Sequence, residues 1–150
     1  DRVFSVNLIN SLIAGNRAPT GGEIWDDSLN STVFVSSGVN LIGDNGQDSS
    51  TAFFTFTPNL SDITATADGK RPTALSRILM PLSDNGGPTQ THALGVSSPA
   101  IDAGRQCQTT DQRGEERRVN VCDIGAYEAP DNSTKFVLPT KSGDTVVIEL

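Results

Sequence analysis

The apolar residues in the first part of this chain fall in short clusters: Val3-Phe4-Ser5-Val6, Leu8-Ile9, Leu12-Ile13, Ile24-Trp25, Val33-Phe34-Val35 and Leu41-Ile42. Asn, Gly, Ser or Asp bounds each of them. These are strand lengths. A long helix would need apolar positions recurring every 3.6 residues over several turns, and the repeated Gly and Asn punctuation breaks any such run. The pattern predicts an all-β chain of short strands joined by turns.

Two stretches echo each other. Leu12-Ile13-Ala14-Gly15-Asn16 resembles Leu41-Ile42-Gly43-Asp44-Asn45, and each follows a Val/Phe cluster. Short strands repeating every 20 to 50 residues point to a solenoid, in which each coil buries its inward residues by stacking on the next. Asn beside such strands suits left-handed corners and side-chain ladders between coils. Farther along, Ala52-Phe53-Phe54-Thr55-Phe56 reads as an aromatic strand before Pro58, and Ile63-Thr64-Ala65-Thr66-Ala67 as a strand entering an Asp68-Gly69 turn. Leu75, Ile78 and Leu79 sit at helical spacing, but the β context favours a strand or short turn over Ala74 to Met80.

From Pro81 to Glu128 turn motifs dominate: SDNGGPTQTHAL, SSPAIDAG, TTDQRGEERR and CDIGAYE. An irregular, hydrogen-bonded cap is expected there. Beyond it, FVLP and TVVIEL read as two strands joined through Lys141-Ser142-Gly143-Asp144 into a terminal β-hairpin. The organisation expected is one structural unit: coils over 1–80, cap over 81–128, and C-terminal strands or tail over 129–150.

Length and charge narrow the function. The 150 residues suit one domain. A net charge of −7 argues against a nucleic-acid surface, which needs Lys and Arg to release counterions. No window approaches the roughly 18 to 20 consecutive apolar residues of a spanning helix. The chain opens at Asp1-Arg2-Val3 without a basic and apolar leader, so any export signal is expected to lie upstream or to have been removed. Cys107 and Cys122 suit one disulfide, two reduced thiols being the alternative; closing a loop of roughly 15 residues contributes about 3 kcal/mol.

Candidate chemistry is sparse. His92 is the one histidine, and no serine sits in a GxSxG elbow, so a hydrogen-bonded cap histidine is expected rather than a catalytic base. Asp84, Asp102, Asp111 and Asp123 lie in Gly-containing turns. There they suit Asx turns or pairs with Arg105, Arg113 or Arg117 better than paired acids for glycoside hydrolysis. No cofactor is expected. Calcium is the ion that Asp44, Asp48 and Asp84 would suit, without the spacing of an EF-hand or a GGxGxD repeat. Arg113-Gly114-Glu115-Glu116-Arg117-Arg118 reads as a solvated loop, and the sequons at Asn30, Asn59 and Asn132 as chance matches.

Taken in order, LSDNGGPTQTHAL, SPAIDAG, DQRG and CDIGAYE, preceded by NSLIAGN and GVNLIGDN, make the chain from Val3 to Glu128 resemble bacterial choice-of-anchor Q domain proteins. The resemblance implies the last coils of a right-handed parallel β-helix with an irregular cap, exported and displayed at the cell surface. It supplies no catalytic residues. LPTKSG departs from a sortase signal, because Thr140 falls one position early. The residues expected to shape the cap turns are Asp84, Asn85, Gly86, Gly87, His92, Asp102, Asp111, Arg113, Asp123, Gly125 and Tyr127. The function expected is non-catalytic capping in an adhesion-related surface protein. Its partners would be upstream coils of the same protein and a cell-surface glycan or protein, with no nucleic acid and no membrane span. The alternative is a carbohydrate-active or glycan-binding β-helix fragment, for which Trp25 is the one tryptophan available to stack on sugar.

Overall fold

The computed structural model describes residues 4–26, 32–118, 120–131, 136–139 and 145–148. Among them, short strands form five small sheets and the two helices are four residues long each, so the regular structure is mostly strand.

The first seven strands are β1 (Phe4–Leu8), β2 (Leu12–Ile13), β3 (Ile24–Trp25), β4 (Thr32–Ser36), β5 (Leu41–Ile42), β6 (Phe53–Phe54) and β7 (Ile63–Thr64). Each of the first three pairs in parallel with the strand three places later. Phe4 stands opposite Thr32, an offset of 28 residues, and Leu12 opposite Leu41 and Ile24 opposite Phe53, offsets of 29. β7 then adds to β5 with Leu41 opposite Ile63, an offset of 22. The Leu-Ile echo of the sequence is thus a register: the Leu41 N–H donates to the Ser11 carbonyl at 3.0 Å and the Gly43 N–H to that of Ile13 at 2.8 Å.

The β2-β5-β7 sheet is buried on both faces, which explains why its strands are apolar at consecutive positions rather than alternating. Ile13 and Ile42 point to one side and join Leu8, Ile24, Phe34, Phe53 and Phe56 in a core between the sheets. Leu12, Leu41 and Ile63 point to the other side and join Ile78, Leu94, Ala100 and Ile124 in a second core. The segment after residue 74 supplies that second layer through α2 (Leu75–Ile78), the antiparallel pair β8 (Leu79–Ser83) and β9 (Thr91–Leu94), and the loops that follow. The region expected to form the cap packs on this face of the β2-β5-β7 sheet and reaches as far as its first strand. The physical reason is the Leu12, Leu41, Ile63 row, a continuous apolar stripe that has to be covered.

Two local expectations are corrected. Ala52 to Phe56 is not one strand: Asp48 caps a single turn, α1 (Ser49–Ala52), by accepting the Thr51 N–H at 2.9 Å, and extended pairing lasts only over β6. Thr55 then takes a φ of 54°, and Phe56 turns inward to meet the edge of the Phe53 ring at 5.8 Å. Ala74 to Met80 holds one helical turn followed by β8, which runs across residue 80. β10 (Phe136–Pro139) and β11 (Thr145–Ile148) pair antiparallel, as the sequence predicts for the terminal hairpin; its turn and the Asn30 and Asn132 sequon residues lie outside the described residues.

The outer edges of β1 and β7 differ. Val6 shares a face with buried Leu8 and pairs with Phe34, yet it is 39% exposed, and among the described residues no strand pairs with the outer edge of β1. By contrast Phe56 is buried, and the chain folds back so that the Arg71 N–H donates to the Thr64 carbonyl at 3.0 Å, occupying the edge of β7. Among the described residues no helix is long and apolar enough to cross a membrane.

Candidate functional site

The polar residues of the covering segment converge on a few buried carboxylates. Asp111 lies in a turn of the DQRG motif, and its carboxylate accepts five hydrogen bonds: the N–H groups of Arg113, Glu115 and Glu128, and Nε and Nη2 of the Arg113 guanidinium. Burial alone pushes this carboxyl up, but the Glu128 N–H and the side chain and N–H of Arg113 outweigh it and hold its pKa below the usual carboxylate range. Arg113 also donates to the Glu128 carbonyl at 2.7 Å and lies 3.7 Å over the Tyr127 ring. Gly87, at φ 81°, packs so closely that a Cβ there would lie 2.6 Å from the Arg113 Cα, so only glycine fits.

Asp123 is the second node. Its two oxygens accept the Asp102 N–H at 2.8 Å and the Ala129 N–H at 2.6 Å. Here burial prevails over those two N–H donors, and the neighbouring Glu128 and Asp102 carboxylates add to it, so the Asp123 pKa is raised. Glu128 links the nodes by accepting from Arg117 at 2.8 Å and from the Asp123 N–H at 2.9 Å. Arg118 pairs with Asp102, which holds a φ of 57°. The Cys107–Cys122 disulfide, with Cα atoms 6.4 Å apart, closes the loop that carries Asp111, Arg113, Arg117 and Arg118.

The remaining cap residues have separate tasks. Asp84 accepts the Gly86 N–H at 3.1 Å, and Asn85 ties the turn to β9 by donating to the Thr91 carbonyl at 2.8 Å. His92 is exposed and donates from Nδ1 to the Met80 carbonyl at 2.7 Å, across the β8-β9 pair. Gly125, at φ 103°, donates its N–H to the Asn10 carbonyl at 2.9 Å and brings the cover so close to β2 that an added Cβ would lie 3.0 Å from that of Leu12. Asn10 also accepts the Arg105 N–H at 2.9 Å. These contacts fasten the cover to the first layer of the stack.

The structure does not bring the suggested calcium ligands into one site. Asp44 accepts from Arg17 at 2.7 Å and from the Gly46 N–H at 2.8 Å, Asp48 caps α1, and Asp84 serves its own turn. Among the described residues no group of three or more His, Cys, Asp or Glu side chains is placed to hold a metal.

Two buried knots inside the stack were not anticipated. Asn40, fully buried, accepts the Ser11 N–H and donates to the Leu8 carbonyl, Ser36 and Asp62. Glu23 accepts from the Gly15 and Asn16 N–H groups, the Asn16 side chain and Gln47. The polar residues flanking each strand were the available signal, but which of them turn inward depends on the layer below. Chemically, these knots and the cover's carboxylates bind backbone and guanidinium N–H groups, so the arrangement works as a set of clamps.

No protein-family model, no curated protein and no solved structure matches the chain.

Proposed function

We propose that this chain forms the closing coils of a right-handed parallel β-helix and acts as a non-catalytic covering and capping module of an exported, surface-displayed bacterial protein, in keeping with its resemblance to choice-of-anchor Q domain proteins. The observation that carries the reading is the regular parallel return of strands after 28 or 29 residues, combined with the uncovered inward Val6 at one end. Parallel strands joined by such crossovers wind almost always to the right. Stacked aromatic side chains at matching register are a further sign of coil-on-coil packing: Trp25 and Phe54 pair across β3 and β6, with ring centroids 4.2 Å apart. The open edge of β1 suits preceding coils of the same protein, whose outward surfaces would meet the glycan or protein partner.

A non-catalytic role is supported by the engagement of the buried cover carboxylates. Both oxygens of Asp111 and of Asp123 accept hydrogen bonds from the protein. Analytical ultracentrifugation tests the open-end reading. An unpaired strand edge over an apolar row is a template for association, so the chain alone should self-associate as its concentration rises. The Leu8 carbonyl faces β4 by accepting the Ser37 N–H, which turns the Asn7 N–H outward, so Asn7→Pro should keep the chain folded and monomeric. A wild-type chain that stays monomeric at every concentration would count against the proposal.

A further inference from the structure

Five of the seven described arginines are engaged within the protein. Arg17, Arg113, Arg117 and Arg118 pair with carboxylates, and Arg105 donates to the carbonyls of Asp102 and Gly104. Arg71 and Arg77 are the described arginines whose guanidinium groups donate to no other described residue, and both line one hollow of about 480 Å³. The rest of its wall includes Asn45, Pro72, Thr73, Ser97 and Pro99. No acid lines it, although the chain carries a net charge of −7.

The backbone that positions these groups is fixed. The Asn45 N–H donates to the Thr73 carbonyl at 2.9 Å, the Thr73 N–H to that of Ala65 at 3.1 Å, and the Arg77 N–H to that of Ala74 at 2.8 Å. A hydroxyl on Ser97 and an amide on Asn45 add donors with no hydrogen bond inside the protein among the described residues. Two guanidinium groups repel one another across a shared hollow and are stabilised by a group that accepts from both. Their planar forks match carboxylate, sulfate and phosphate oxygens in pairs.

We propose that the hollow between Arg71 and Arg77 is a binding site for an oxyanion, of the kind carried by acidic glycans or present as a free inorganic ion. The site lies apart from the β1 edge, so it stands whether or not that edge carries further coils.

The test is an NMR titration of the arginine Nε–Hε signals of the full chain with tetragalacturonate, neutral cellotetraose and inorganic sulfate, repeated with Arg71→Gln and Arg77→Gln. Both side chains are exposed and unbonded, so the variants should melt with the wild type. The expected result is saturable shifts of the Arg71 and Arg77 signals with an anionic probe and none with cellotetraose. Either substitution should weaken binding by about tenfold or more, because each removes a charge-assisted hydrogen-bond pair. Tighter binding of tetragalacturonate than of sulfate assigns the site to an acidic glycan, and equal binding assigns it to the free ion. Shifts with neither anion, equal shifts with cellotetraose, or binding unchanged in both variants would overturn the proposal.

Discussion

Asp111 and Asp123 lie in one covering segment and their pKa values are shifted in opposite directions, because the first receives the Glu128 N–H and the Arg113 guanidinium while burial of the second outweighs its two N–H donors beside other carboxylates. The lowered Asp111 pKa means that its contribution to stability is present above the unfolded value of about 3.9 and is lost as pH falls through the lower folded value. The raised Asp123 pKa works the other way: the folded state keeps that proton longer than the unfolded chain, so stability is lost as pH rises from about 3.9 through the folded value. Asp111→Asn leaves the Arg113 guanidinium without its carboxylate, and breaking such a buried pair costs about 3 kcal/mol. Thermal denaturation should show that loss near neutral pH and a smaller further loss on acidification than in the wild type. An unchanged midpoint would mean that the clamp contributes nothing. Asp111, Arg113 and Asp123 were legible in the sequence as turn residues, but the opposite environments of the two carboxylates were not, since the Glu128 N–H reaches Asp111 from 17 residues away and the Asp102 N–H reaches Asp123 from 21.

Among the elements, the disulfide loop and the short strands respond to different forces. Cys107 and Cys122 are 15 residues apart, and releasing that closure should lower stability by about 3 kcal/mol. Chemical denaturation of Cys107→Ser/Cys122→Ser should show it, and a reducing agent should shift the wild type by a similar amount while leaving the double variant unmoved. The strands are too short to stand alone and depend on knots such as Asn40. Asn40→Ala strands the Ser11 N–H and removes the amide's bonds to Ser36 and Asp62 from the interior, at a cost of about 2 to 3 kcal/mol. Asn40→Asp should be no better, because it sets two carboxylates against each other at the contact where the Asn40 amide now meets Asp62 at 3.0 Å. Strand positions at Leu12-Ile13, Ile24-Trp25 and Leu41-Ile42 were readable from clustering alone. The break between α1 and β6 was not, because it depends on Asp48 capping a turn and on Thr55 adopting a left-handed φ so that Phe56 can face the core.

For the whole molecule, the decisive feature is that stack and cover share one core. Leu41 in the sheet and Ile124 in the cover are both fully buried in the same cluster. Leu41→Ala and Ile124→Ala should each cost about 2 to 5 kcal/mol. Both should shift one common unfolding transition, followed by circular dichroism and by Trp25 fluorescence. Two separated transitions, with Ile124→Ala moving only one, would show that the cover folds independently of the sheet it lies on.

The order of short strands, their Leu-Ile repeat, the turn-rich second half and the pairing partner of Cys107 are properties of the sequence, because strand clusters, turn residues and an even cysteine count act locally. Where the second half lies was decided by tertiary structure. Consecutive apolar residues such as Leu12-Ile13 announce a strand buried on both faces without saying what buries the outer one. Only the fold shows that Ile78, Leu94, Ala100 and Ile124 do so from the side. The same holds for Arg71 and Arg77: as residues they look like any exposed cations, and it is the path of the chain around Thr73 and Ser97 that turns them toward one hollow without an acid between them.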